Sequence, residues 1–200
     1  MRKILSWEPR KVGIAMKNVL TLFLAALLMS GCATSNTEIE RQTITGYVIE
    51  KDTAKKRLLV IENDETKTKD STNYEAEWYF PKEEAVFQDS KGNNISFDKI
   101  EVGHMVSTWS TTPSALAYPS SAELSKLVIN EESKNPINEM DEKKAIQHAI
   151  HYLKSKLDDG IIIKSANGQK DHWQIKATDY DIEVDTLLQI NAQTGEVKEV

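Results

Sequence analysis

The 200-residue sequence predicts a mainly β chain that ends in a smaller α+β unit. Two patterns predict it. Between about residues 42 and 130, short runs of β-branched and aromatic residues alternate with polar turns, which is how a small barrel or sandwich reads. From about residue 137 one stretch carries apolar residues at helical spacing, and alternating strands follow it.

In the first part, residues 43–49 (TITGYVI) read as a strand, 51–56 as a polar turn and 58–61 (LLVI) as a return strand, together a hairpin. Residues 62–72 are charged and aperiodic, hence a loop. Tyr74, Ala76, Trp78 and Phe80 alternate with Glu75, Glu77 and Tyr79. That spacing predicts a half-buried strand with the first set inward, ended by Pro81. A turn at 90–94, a strand at 102–109 entered through Gly103, and a strand at 122–129 complete the set.

Residues 131–136 form a charged, proline-containing linker. Asn138 is the expected helix cap, with Asp141 three residues on. Ala145, Ile146, Ala149, Ile150, Leu153 and Leu157 then fall on one helical face, and Gly160 is the expected C-cap. A strand at 161–166 should turn through Asn167-Gly168 into a strand at 172–177, with Trp173, Ile175 and Ala177 on one face. A third strand places Ile182, Val184, Leu188 and Ile190 inward, and a short last strand covers 196–200.

The N-terminal region reads differently. Residues 19–29 (VLTLFLAALLM) are apolar but shorter than the ~20 residues that span a bilayer. That length suits a signal-peptide core, with Lys17 supplying the positive flank. Ser30-Gly31-Cys32 follows and resembles a bacterial lipobox, with Met29 where leucine is usual. Residues 1–31 are therefore expected to be an export signal. Cys32, the only cysteine, is expected to carry lipid, and 32–41 to form a flexible tether. Trp7, Glu8 and Pro9 are foreign to a signal-peptide start, so Met16 is the expected initiator. The implied location is the outer face of the cell membrane, with the membrane as partner through the anchor.

Residues 1–31 hold five bases and one acid, which leaves 20 bases and 30 acids from Cys32 onward, a formal charge of −10. Such a surface repels phosphate backbones, so nucleic acid is not an expected partner. One cysteine forms no internal disulfide and excludes zinc sites built on two or more thiolates.

Two resemblances add to this reading. Residues 45–50 (TGYVIE), 58–61 (LLVI), 100–106 (IEVGHMV), 117–120 (AYPS) and 127–129 (LVI) resemble the YobA-like domain of uncharacterised Gram-positive lipoproteins. This implies a barrel related to the oligomer-binding fold over 42–130 and brings no ligand. Residues 145–149 (AIQHA), 173–175 (WQI) and 190–197 (INAQTGEV) resemble a PepSY-type domain over 137–200. This implies a module that binds or restrains peptidases.

Catalytic signals are thin. His148 and His151 are three apart on the helix, a metal-compatible spacing, but both project away from the apolar stripe with no third ligand in sight. His104 and His172 read as surface residues at strand starts. Trp78 and Trp109 read as core, whereas Tyr79 projects from the opposite face and is the candidate ligand contact. Asp64-Glu65 and Asp158-Asp159 lack the ligand number of a calcium loop. No G-x-S-x-G, P-loop or H-E-x-x-H occurs. The expectation is a lipid-anchored binding protein with no catalytic residue, metal or cofactor. It would engage a secreted or membrane protein such as a peptidase. Alternatives are a lipoprotein that binds cell-wall glycan or peptide, and an envelope structural or stress accessory.

Overall fold

The computed structural model describes residues 40–68, 71, 73–130, 136–157, 160–181 and 184–200. The signal segment, Cys32, nearly all of the tether, most of the linker, Asp158, Asp159 and Ile182 lie outside the described residues.

Five strands close a barrel: β1 (Arg41–Asp52), β2 (Arg57–Glu62), β3 (Ala76–Gln88), β4 (Met105–Ser110) and β5 (Ser120–Ile129). Their order is β1-β2-β3-β5-β4, with β4 pairing back to β1. All pairs are antiparallel except β3 with β5, which run parallel. This is a small oligomer-binding-like barrel, whose closure leaves no long free edge. Gly46 makes the coil of β1 possible. A Cβ there would stand 2.0 Å from the Ile61 carbonyl oxygen, so only glycine permits the approach of β1 to β2. The barrel interior is filled by Ile44, Val48, Leu58, Val60, Tyr79, Ile100, Val106, Ala122, Leu124 and Leu127.

The C-terminal part is one helix, α1 (Glu142–Leu153), on a four-stranded sheet of β6 (Ile162–Gly168), β7 (His172–Thr178), β8 (Thr186–Asn191) and β9 (Val197–Glu199), in that order. Ala145, Ile146, Ala149, Ile150 and Leu153 are buried, as the helical spacing requires, and meet Trp173, Ile175, Ala177, Leu188 and Ile190. A fully buried side chain of this size contributes ~1.5–3 kcal/mol.

The two parts are not separate beads. The described residues from 40 to 200 form one compact unit, and one apolar cluster runs from the helix and sheet to Tyr47, Ile49, Leu59, Ile61, Tyr74 and Ala76. Those six lie on the outer surface of β1, β2 and the approach to β3. The helix–sheet half therefore covers the strand face that barrels of this type offer to ligands.

Several local expectations need correction. β3 does not end at Pro81 but runs on to Gln88, because Pro81 falls where the pairing with β5 shifts register and no ladder donor is needed. Both faces of β3 are covered, so alternation failed to tell inside from outside. Glu77 and Tyr79 are buried, whereas Phe80 is 40% exposed. Asp141, not Asn138, caps α1, accepting from the Lys144 amide at 2.7 Å, while Asn138 has φ +46 in the preceding turn. The helix ends at Leu153 with Lys154 as C-cap, seven residues before the start of strand-forming sequence, so Gly160 is not its cap. Asn167 and Gly168 are paired inside β6, and the turn lies beyond them, closed by the Gln169 amide donating to the His172 carbonyl at 2.9 Å. Val184 is 73% exposed rather than inward.

Candidate functional site

A cleft of about 530 Å³ opens at the barrel end where β1, β3 and β5 begin. Its walls are Gln42, Thr43 and Ile44 of β1, the segment 73–77 leading into β3, and Ser114, Ala117, Tyr118 and Ser120 around the β4–β5 loop. Hydroxyls, amides and two carboxylates, Glu75 and Glu77, share its walls with apolar groups from Ile44, Tyr74, Ala76, Ala117 and Tyr118.

Glu77 is the unusual member. It belongs to the inward face of β3 and is 1% exposed, yet it borders the cleft. The Ser120 hydroxyl donates to its Oε1 at 3.1 Å, and no lysine or arginine pairs with it among the described residues. Taking a carboxylate out of water without a cation is costly, and hydroxyl donors offset only part of that cost. Beside it the Tyr79 phenol lies 2.6 Å from the Thr43 hydroxyl and 2.9 Å from that of Thr108. Burial pushes the Tyr79 phenol far above its ordinary value, and the negative charge of Glu77 adds to the shift. The barrel therefore has a polar layer at this end and an apolar body below it.

Tyr118, 49% exposed, forms the outer wall. Its hydroxyl donates to the Tyr74 carbonyl at 3.1 Å, and its ring meets Tyr180 edge-on at 5.1 Å between centroids. Tyr180 belongs to the β7–β8 connection, so the C-terminal half braces the barrel loop. Burial pushes the Tyr180 phenol up to about 12.

A second cleft of about 440 Å³ continues from the first, sharing Gln42, Thr43 and Ser114. It is lined by Arg41 and by residues 110–113, and Arg41 is its only charged wall residue among the described residues. Among the described residues the first of these adjacent clefts carries the acidic side chains and the second the basic one.

A smaller cavity of about 260 Å³ lies where the barrel meets the start of α1. There the Tyr47 hydroxyl donates to Glu142 Oε1 at 2.5 Å, with both groups buried, and the helix N-terminus favours the carboxylate charge. His104 borders the same cavity. Its Nδ1 accepts from the Glu101 amide at 3.0 Å, which places the ring proton on Nε2. Burial, then the Lys143 ammonium, push the imidazole down to about 4, so it is neutral at physiological pH. His104 is thus a fixed structural imidazole rather than an open surface residue.

The remaining sequence candidates separate as follows. Tyr79 is fully buried and cannot be a surface ligand contact, because β3 turns that face into the barrel. Trp78 and Trp109 are half-buried and lie under cations: the Arg57 guanidinium is 4.1 Å from the Trp78 ring centroid and the Lys126 ammonium 5.0 Å from that of Trp109. No open aromatic platform results from them. His148 and His151 are exposed, and no cluster of three metal-ligating side chains occurs among the described residues. His172 is held 2.8 Å from the Asp171 carboxylate. Sequence reasoning missed Glu77, Ser120 and Arg41 as site residues. The AYPS segment was the available signal, since it supplies Ala117, Tyr118 and Ser120 to the cleft wall.

An oligomer-binding-like barrel fused to a helix-on-sheet half, with a polar groove across the barrel end, describes the class of this protein. Residues 45–129 match the model of a family described as a protein of unknown function, DUF3221. That span runs from the residue before Gly46 to the end of β5 and so covers the barrel. No curated protein and no solved structure matches the chain.

Proposed function

We propose that this chain is a lipid-anchored extracytoplasmic binding protein, not an enzyme, and that the groove across the barrel end holds a hydrophilic cell-wall ligand. The single observation that carries this reading is the pairing of a covered strand face with an open polar cleft. The helix–sheet half fills the usual platform of the barrel, while the 530 Å³ cleft beside Glu77 remains open and is of ordinary ligand size. Residues 42–130 and 137–200 are, in this reading, the YobA-like and PepSY-like modules that their sequence resembles. The second module spends its apolar residues inside: Val184 and Val200 are its only large apolar side chains that are exposed among the described residues. That composition favours bracing of the barrel over capture of a peptidase through an apolar patch.

Two measurements test the proposal. Cys32→Ala should abolish lipidation and release the protein from washed membranes; retention after a salt wash argues against the anchor. Hydrogen exchange on the detergent-solubilised lipidated protein, with soluble fragments of digested cell wall, should slow at residues 73–77 and 114–120. Unchanged exchange there, or protection confined to other segments, would overturn the ligand site.

A further inference from the structure

The charge arrangement along the groove narrows the ligand class, on the premise that the groove is the ligand site. Among the described residues the charged groups that wall the first cleft are two carboxylates, Glu75 and Glu77, and the one that walls the second is Arg41. Gln42, Thr43 and Ser114 line both. The walls also carry side-chain groups that both donate and accept: Gln42, Thr43, Asn73, Ser114 and Ser120. We propose that the groove takes a short peptide with both ends free, its amino-terminal ammonium against Glu77 and its carboxylate toward Arg41.

Three features converge on this assignment. Glu77 is buried to 1% exposure without a cationic partner among the described residues, and it borders the cleft beside Ser120. An ammonium entering there gains a charge-assisted hydrogen bond in a poorly hydrated place, where such bonds are strongest. Arg41 is exposed at the start of β1, so its pairing with a carboxylate is weaker and sets direction more than affinity. Amide- and hydroxyl-bearing walls between the ends suit a peptide backbone, which presents one donor and one acceptor per residue. A glycan fragment without charge would use the same walls and leave Glu77 unneutralised.

The test uses the detergent-solubilised lipidated protein and calorimetric titration with alanine peptides of two to five residues. Each length is offered free, N-acetylated and C-amidated. The expected result is that acetylation weakens binding about tenfold or more, and amidation by a smaller factor. Glu77→Gln keeps the acceptor for Ser120 and should erase the penalty for acetylation. Arg41→Gln should erase the penalty for amidation and leave that for acetylation. Glu75→Gln, at the exposed rim, should change neither. Equal binding of free and acetylated peptides to the unaltered protein overturns the inference without recourse to any variant, as does retention of the acetylation penalty in a folded Glu77→Gln protein. If wall fragments protect 73–77 and 114–120 while no alanine peptide binds, the peptide assignment fails and the ligand site stands. If neither binds, both fail.

Discussion

Gly46→Ala isolates the closest backbone approach in the barrel. The added Cβ would sit 2.0 Å from the Ile61 oxygen, 2.5 Å from its carbonyl carbon and 2.8 Å from the Glu62 nitrogen. All three are backbone atoms of β2, so no side chain can swing aside. Relief requires β1 and β2 to part by about 1 Å, against a normal strand spacing of ~4.8 Å. The pairs Gly46 with Glu62 and Tyr47 with Ile61 lie at that point and would be strained or lost. Two ladder bonds at ~1 kcal/mol each, plus ~1–3 kcal/mol for overpacking, give a destabilisation of about 3–5 kcal/mol. For a unit of this size that lowers Tm by about 6–20 °C. The control is Gly92→Ala, whose Cβ meets nothing within 4 Å and whose cost comes only from φ +80, about 1 kcal/mol. Thermal unfolding followed by circular dichroism compares the two. A Gly46→Ala melt no lower than that of Gly92→Ala would refute the steric account of the barrel.

Two further perturbations follow from the same geometry. His104 is held neutral, down to about 4 in the folded chain, whereas an unfolded histidine titrates at its ordinary value near 6.5. Between those values the unfolded chain binds more protons, so this residue makes stability fall as pH drops from 6.5 toward 4. His104→Gln should flatten that part of the pH dependence of Tm, and an unchanged profile would rule the residue out as its source. Gly160→Ala would place a Cβ 2.3 Å from the Tyr180 ring at φ +103. Tyr180 must then leave Tyr118, and hydrogen exchange at 114–120 should quicken by several-fold with the barrel strands β1 and β2 unaffected; uniform quickening would mean global destabilisation instead.

The sequence by itself determined the secondary elements wherever one face was wet. The stripe of α1 and the alternation of Trp173, Ile175 and Ala177 in β7 are readable because solvent on one side imposes a period, whereas the hairpin of β1 and β2, covered on both faces, is readable from its β-branched composition and the polar turn between the strands. It also placed the barrel over 42–130 through short strands separated by polar turns. What only the tertiary structure decided is which residues face inward when both faces are covered. Tyr74 and Ala76 lie under the helix and sheet, while Glu77 and Tyr79 lie inside the barrel. A local pattern cannot rank two interiors, because burial of the outer face depends on a half of the chain some 70 residues further on. The groove is of the same kind. Arg41, Glu77 and Ser120 come from three strands, and only barrel closure, with the parallel pairing of β3 and β5, brings their ends to one rim.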